Sequence, residues 1–303
     1  IQLVWTREDD IQQGPFRPAS LMRIKAGVDN DGNLITWDAA RAGADISPDT
    51  FRSLLPALYS WMGDGMIEGV ANLSEWYFEK FATDESSTEG LFEDYDHPNT
   101  RVTHMTVDHE LPMTFWRAVG HSYTAFAKES MIDEMAEAAG MDEVAFRLQN
   151  TQNTPRLNNV IRVAGEHMAK MNPPEGHHLG FAAHHSFYTD AAEIAEVSVE
   201  NGKIRVHKVT CVLDCGQAVN PDIVRSQIEG GVIYGLTATL YSGLNLERGA
   251  IKESNFHDYP MLRMNESPEI EVVIIDSGTK PTGVGEPGLP PIAPAVANAV
   301  YKA

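Results

Sequence analysis

The chain has 303 residues, 43% of them apolar, and a formal net charge of −20. Such a length and apolar content allow a sizeable core, in one large or two ordinary domains, and exclude a disordered chain. The acidic balance argues against a nucleic-acid partner, because phosphate recognition needs a basic surface.

The opening run IQLVWTRED, Ile1 to Asp9, reads as the interior of a strand, so a longer product is expected. No signal peptide is recognised and no apolar run reaches the length of a membrane span, so compartment is not read from the sequence. Two strands are predicted in LMRIKAGVDNDGNLITWDAARAG, joined by a tight turn at Asp29–Asn33 with Gly32 in it. DNDGN resembles the start of a calcium loop, but Ala40 stands where that loop needs a bidentate Glu. Asp45 to Asn99 shows no clear period, and the polar tract ATDESSTEG, Ala82 to Gly90, reads as an exposed loop.

A helix is predicted from Ser122 as N-cap, with Ala125, Ile132, Met135, Ala136 and Ala139 at helical spacing. Gly140 should end it and Asp142 cap a short successor. Thr151 to His178 carries scattered Asn and Pro and reads as a linker. A hairpin follows in AEIAEVSVENGKIRVHKVTCVLDCG, turning at Asn201–Gly202. Cys211 and Cys215 are the chain's two cysteines and read as small buried thiols, too few for an iron–sulfur cluster or a structural zinc site. A helix is expected from Pro221 through SQIEGGVIYGLTATL, then a strand in EIEVVIIDS, then a helix from about Ala293 to Tyr301. Strands and helices alternate without a strict βαβ rhythm, so the fold class is α+β with mixed sheets and packed helices. Two units are expected, residues 1–152 and 177–303.

Three stretches invite chemistry. In WRAVGHS, Arg117 precedes a small-residue turn and a helix start, an arrangement that serves an anion or merely caps a helix. In SQIEGGVIYG, Gln227 has Gly230 and Gly231 on its own helix face. Glycines weaken a helix by about 1 kcal/mol each, so either a neighbour approaches closely or a flat ligand lies on bare backbone beside the Gln amide. In PTGVGEPGLPPIAPAVANAV, Pro287 drives Glu286 toward an extended conformation, while Gly283 and Gly285 leave the backbone bare. Glu286 on such a stiffened loop suits a general base, or a loop acid that binds backbone amides. The adjacent pairs His177–His178 and His184–His185 point in different directions, so they read as structural or cavity-lining and not as zinc ligands.

Five stretches in order, WTREDDIQQGPFRPAS, WRAVGHSYTAFAKESMIDEMAEAAG, VLDCGQAVNPDIVRSQIEGGVIYGL, NFHDYPMLRMNESPEIEV and GVGEPGLPPIAPAVANAV, resemble the molybdenum hydroxylases. This is the xanthine dehydrogenase and aldehyde oxidase family, and the chain is most similar to isoquinoline 1-oxidoreductase-like large subunits in their C-terminal part. The resemblance implies an oxidoreductase acting on an aldehyde or an N-heterocycle with water-derived oxygen. It implies a molybdenum–molybdopterin cofactor in the cytosine dinucleotide form, and electrons passed to a [2Fe–2S] cluster on a separate subunit. Glu286 matches the family's catalytic glutamate, implied to take a proton from a molybdenum-bound hydroxyl. Arg117, Ala118, Val119 and Gly120 match the loop near the cofactor and Gln227 a pterin-binding glutamine, and Gly285, next to the base, is expected to bind the cofactor with them. No protein side chain is implied as a metal ligand. The family's glycine-rich GGGFGR-like segment does not occur in the chain, so the N-terminal part of the large subunit is an expected partner. The branch resembled is compatible with the periplasm. A second reading is a folded, non-catalytic module that needs that N-terminal part to bind cofactor.

Overall fold

The computed structural model describes residues 2–107 and 111–303. The chain opens not with a strand but with helix α1, Arg7–Gln13, because Thr6 and Asp9 cap each other's backbone reciprocally. Gln2 to Trp5 form no regular structure, and Ile1 lies outside the described residues. Strands β1, Ser20–Val28, and β2, Leu34–Gly43, pair antiparallel across the expected turn. Asp29 fixes that turn by accepting from the backbone amides of Asp31 and Asn33 at 3.0 and 2.8 Å. Strand β3, Asn99–Thr106, adds parallel to β2 and completes a three-stranded sheet.

The segment between β2 and β3 is not irregular. Helices α2, Ser47–Leu58, and α3, Asp64–Lys80, form a hairpin there. Pro48 sits in the first turn of α2, where no amide is needed, and Pro56 near its end breaks the pattern that a helix should print. The tract expected as an exposed loop buries Asp84, Ser87 and Thr88. Its polarity has a structural use: the Asp84 carboxylate accepts from Ile46 N, Ser47 N and Ser47 Oγ at 2.8–3.0 Å, capping α2 from far along the chain.

Helix α4, His121–Ala138, has Gly120 as its N-cap; Ser122 lies inside the helix, where its hydroxyl donates to Val119 O at 2.8 Å. Gly140 at φ +65° ends the α4 region as predicted, and Asp142 caps α5, Glu143–Gln149, through the amides of Val144 and Ala145. The predicted linker contains α6, Pro155–Met168. Leu157, Val160, Ile161 and Ala164 are its buried stripe, and Pro155 occupies its first turn.

The second sheet runs in the order β4, His177–Ser186; β5, Thr189–Glu200; β6, Lys203–Asp214; β9, Glu269–Ile274. Its first three strands are antiparallel, and β9 is parallel to β6. Between β6 and β9 come α7, Pro221–Leu240, and the short pair β7, Leu246–Glu247, and β8, Ala250–Ile251. Helix α8, Ile292–Lys302, follows β9. On one face of this sheet α6 packs on Phe181, Ala183, Ala192 and Ile194; on the other α7 and α8 pack on Ala182, Ala191, Ala195 and Val197. Gly180 lets α8 lie directly on β4, since a Cβ there would come within 2.9 Å of the Ala299 methyl. Mixed sheets with packed helices are therefore the architecture, as the α+β class anticipated.

One residue violates the pattern of the α7/α8 face. Glu193 is fully buried, stands opposite Cys211 in the strand register, and neither carboxylate oxygen has a hydrogen-bond partner. Burial holds its pKa well above the usual carboxylate value, so it is carried as the neutral acid. A group raised in the folded state contributes stability that is complete below its unfolded pKa and is lost as pH rises through the folded one. Glu193→Gln is therefore expected to stabilise the protein by about 1–3 kcal/mol at alkaline pH, with no difference near pH 4. Denaturation midpoints across pH check this; a difference independent of pH would contradict it.

Candidate active site

The site forms where the turn before α4, the first half of α7 and the loop before α8 meet. Helix α7 begins at Asn220, whose side chain accepts from Asp222 N and Ile223 N, with Pro221 next. Val224, Ile228, Val232 and Leu236 bury one stripe of it in the core, which leaves Gln227 and Gly230 exposed beside them. Gly231 meets the loop before α8 backbone to backbone: a Cβ on it would come 3.1 Å from Gly288 C, and one on Gly288 would come 3.1 Å from Ile228 Cα. Close approach thus accounts for Gly231. A Cβ on Gly230 would have only Arg117 Nη1 within 4 Å, at 3.9 Å.

The loop carrying Glu286 is stitched to the second sheet. Thr282 N donates to Cys215 O at 3.0 Å, Gly283 N to Phe187 O at 3.2 Å, and Thr189 Oγ1 to Gly283 O at 2.7 Å. Leu289 N donates back to Glu286 O at 2.9 Å, and α8 starts three residues later. Glu286 is half-buried and its Oε2 has no hydrogen-bond partner. Burial raises its pKa above the ordinary carboxylate value, against the opposing pull of the Ala118 amide and Arg117.

Arg117 joins the other two pieces. Its Nε donates to Gly285 O at 3.0 Å and its Nη2 to Gln227 O and Oε1, both at 3.3 Å; Nη2 also donates to Gly285 O. Ala118 and Val119 follow with φ of +69° and +47°, a left-handed step that non-glycine residues rarely take, and Gly120 then caps α4. The guanidinium is steadied from behind by aromatic stacking. Trp116 stacks on Tyr234 at 4.8 Å, Arg117 lies 5.9 Å over Tyr234, and Arg17 lies 4.2 Å over the other ring, Trp116.

The structure thus hydrogen-bonds Arg117 to Gln227 and Gly285 and brings Ala118 and Glu286, their chain neighbours, to the same place, with Val119 and Gly120 leading away into α4. Among the described residues, no group of three or more His, Cys, Asp or Glu side chains could hold a metal ion, and no helix could cross a membrane. The sequence reading did not foresee Glu89 or His121, which reach the site from the capping tract and from the first residue of α4. It left His184 as structural or cavity-lining, and His184 contacts His121.

Comparison with known proteins gives this geometry a family. Two family models described as a molybdopterin cofactor-binding domain match residues 114–268 and 76–151. The beta subunit of isoquinoline 1-oxidoreductase from Brevundimonas diminuta is 31% identical over the whole of this chain, which covers 37% of it. The matching component of nicotinate dehydrogenase from Pseudomonas putida is 29% identical, again over the whole chain and 26% of the relative. The chain therefore spans about a third of the length of these relatives. Among solved structures, the aldehyde oxidoreductase of Desulfovibrio gigas superposes with a TM-score of 0.73 over 99% of this chain and 48% of that one, at 14% identity, a likeness of fold. The chain belongs to the molybdopterin cofactor-binding domain family of the molybdenum hydroxylases.

Proposed function

We propose that the chain is the C-terminal part of a molybdenum hydroxylase large subunit, in which Glu286 is the general base and Arg117, Ala118, Val119, Gly120, Gln227 and Gly285 cradle the cofactor. The observation that carries this is the arrangement of Arg117 between Gln227 and Gly285, beside the partnerless Glu286 Oε2. A buried carboxylate oxygen without a partner asks for one from outside the chain. The exposed Gln227 amide above the bare Gly230 backbone offers donors and an acceptor to a flat, polar ring system. These residues fit a molybdenum–pterin cofactor, and its cytosine dinucleotide form is our assignment.

When bound, that cofactor supplies the two-electron sink and the water-derived oxygen. The chain supplies the rest. Glu286 holds a carboxylate at a fixed place and takes a proton on Oε2, its raised pKa bringing its basicity closer to neutrality. Arg117 ties the base loop to α7 through Gly285 O, so base and cofactor cradle keep a fixed separation. Residues 1–152 and 177–303 form the two units of the cleft in this reading, and electrons leave through a [2Fe–2S] partner subunit. The substrate is an N-heterocycle or an aldehyde, the classes named by the relatives above.

The test is the content of the full-length protein purified from its native host. About one molybdenum and one released cytidine monophosphate are expected per large subunit. Molybdenum without the nucleotide would overturn the dinucleotide assignment. Neither would favour the non-catalytic module.

A further inference from the structure

A buried chain of polar side chains runs from within the fold to the start of α4, beside the site. At its inner end the ammonium of Lys128, on α4, pairs with Asp94 and also lies 2.9 Å from His184 Nδ1. An ammonium only donates, so Nδ1 accepts and the proton of His184 sits on Nε2. His184 Nε2 lies 2.9 Å from His121 Nδ1, which must accept in turn. The remaining N–H of His121, on Nε2, then faces Glu89 Oε2 at 3.5 Å. Desolvation and the neighbouring Lys128 keep both rings neutral, lowering His184 to about 4 and His121 further. Burial would raise Asp94, but the Lys128 ammonium holds it well below the carboxylate range. Gly90, at φ +76°, covers the pair so closely that a Cβ would come 2.6 Å from His121 Nδ1.

The outer end of this chain stands beside the site. Glu89 O accepts from Thr124 Oγ1 at 2.5 Å, and the Glu89 amide lies 3.4 Å from where a Cβ on Gly120 would stand. The same turn holds the base loop, through Arg117 and Gly285 O. His121 also meets Phe187 edge-on at 5.5 Å, and Phe187 O holds Gly283 of the base loop. The two carboxylates therefore flank one turn, at the start of α4. The Glu89 side chain is 37% exposed, so it also reaches solvent.

We infer that Glu89 is a second carboxylate beside the site, receiving by way of water the proton that Glu286 has taken and releasing it to solvent, and that the Lys128–His184–His121 chain is the positioning device that presents an N–H toward Glu89. The inference rests on the proposed role of Glu286. In the transfer, Glu286 returns to carboxylate as Glu89 becomes the acid, and Glu89 becomes carboxylate again when water takes the proton; no electrons move. The histidines donate one fixed N–H and carry no proton away, because their order of donors is set by Lys128. Burial, then repulsion from Glu93, Asp84, Glu286 and Glu85, brings Glu89 to a pKa of about 7, where a carboxylate exchanges protons readily at neutral pH.

The experiment uses the full-length holoenzyme and reads Glu89 directly, by infrared titration of its carboxyl band, identified as the band lost in Glu89→Gln. Glu286→Gln removes a like charge and should move the Glu89 titration roughly half a unit to one unit down; His121→Phe removes the N–H that faces the carboxylate and should move it up by a smaller amount. Glu89→Gln should lower kcat about ten-fold with KM little changed, and should abolish the fall in rate as pH drops through 7; Glu89→Asp should restore part of it. A Glu89 titration that moves in neither variant, or a wild-type pH profile in Glu89→Gln, overturns the inference even when Glu286→Gln is inactive. A fully active Glu286→Gln would instead remove the base itself, and the relay with it.

Discussion

Glu286→Gln is expected to lower turnover of the full-length enzyme about a thousand-fold while molybdenum content and KM stay near those of the parent. The amide fills the same volume and its oxygen can still accept from the Ala118 amide. Arg117 grips Gly285 O rather than the carboxylate, so the loop keeps its place without the charge. What the variant loses is the capacity of one oxygen, Oε2, to take a proton. In the parent, activity should fall as pH drops through the pKa of Glu286, which burial sets above that of an ordinary carboxylate, because the acid form is no base. Steady-state rates across pH with metal analysis of the same samples check both points, and an undiminished rate in the variant would reject Glu286 as base.

Arg147→Met should destabilise the protein by about 3–5 kcal/mol, the largest effect expected of any single change in the core. Arg147 on α5 is fully buried; its Nε donates to Glu129 Oε2 at 3.0 Å and its Nη1 pairs with Asp133 at 2.6 Å. Burial alone would lower its pKa, but Asp133 and Glu129 together drive it above the usual arginine value. Glu129 also accepts from Tyr95 Oη at 2.8 Å and from Ala183 N at 2.9 Å, so this one ion pair ties α4, α5, β4 and the segment before β3. Removing the arginine strands a carboxylate at zero exposure. Adding Glu129→Gln should recover most of the loss, since its amide oxygen still accepts from Ala183 N while its NH2 donates to the Tyr95 hydroxyl, and neither needs a counterion. Denaturant midpoints of the three variants measure this; a loss under about 1 kcal/mol in the single variant would contradict it.

Where a local pattern decides structure, the sequence was readable. Asp29–Asn33, Asn201–Gly202 and Pro221 name their turn and helix start in a few residues, and the observed elements follow them. Elements stabilised from a distance were not. Helix α2 takes its cap from Asp84, far along the chain, so Ser47 offers no local signal and the capping tract passes for a solvated loop. Helix α6 hid behind Pro155 and a run of asparagines, although its buried stripe has ordinary helical spacing. The site divides the same way. Arg117, Gln227 and Glu286 stand in distinctive local contexts, while Glu89 lies in a polar run of acids and hydroxyls, and only its juxtaposition with His121 sets it apart.

The contact between Gly231 and Gly288 behaves like a joint with no shim. Most packed interfaces absorb changes of sequence by trading one side-chain volume for another, and the backbones drift apart or together as they do so. Here main chain rests on main chain, and no atom lies between that a substitution could resize smaller. The spacing between α7 and the loop of Glu286 is thus decoupled from the rest of the interior. A substitution elsewhere in the interior therefore has no side chain at this contact through which to move the base loop against α7.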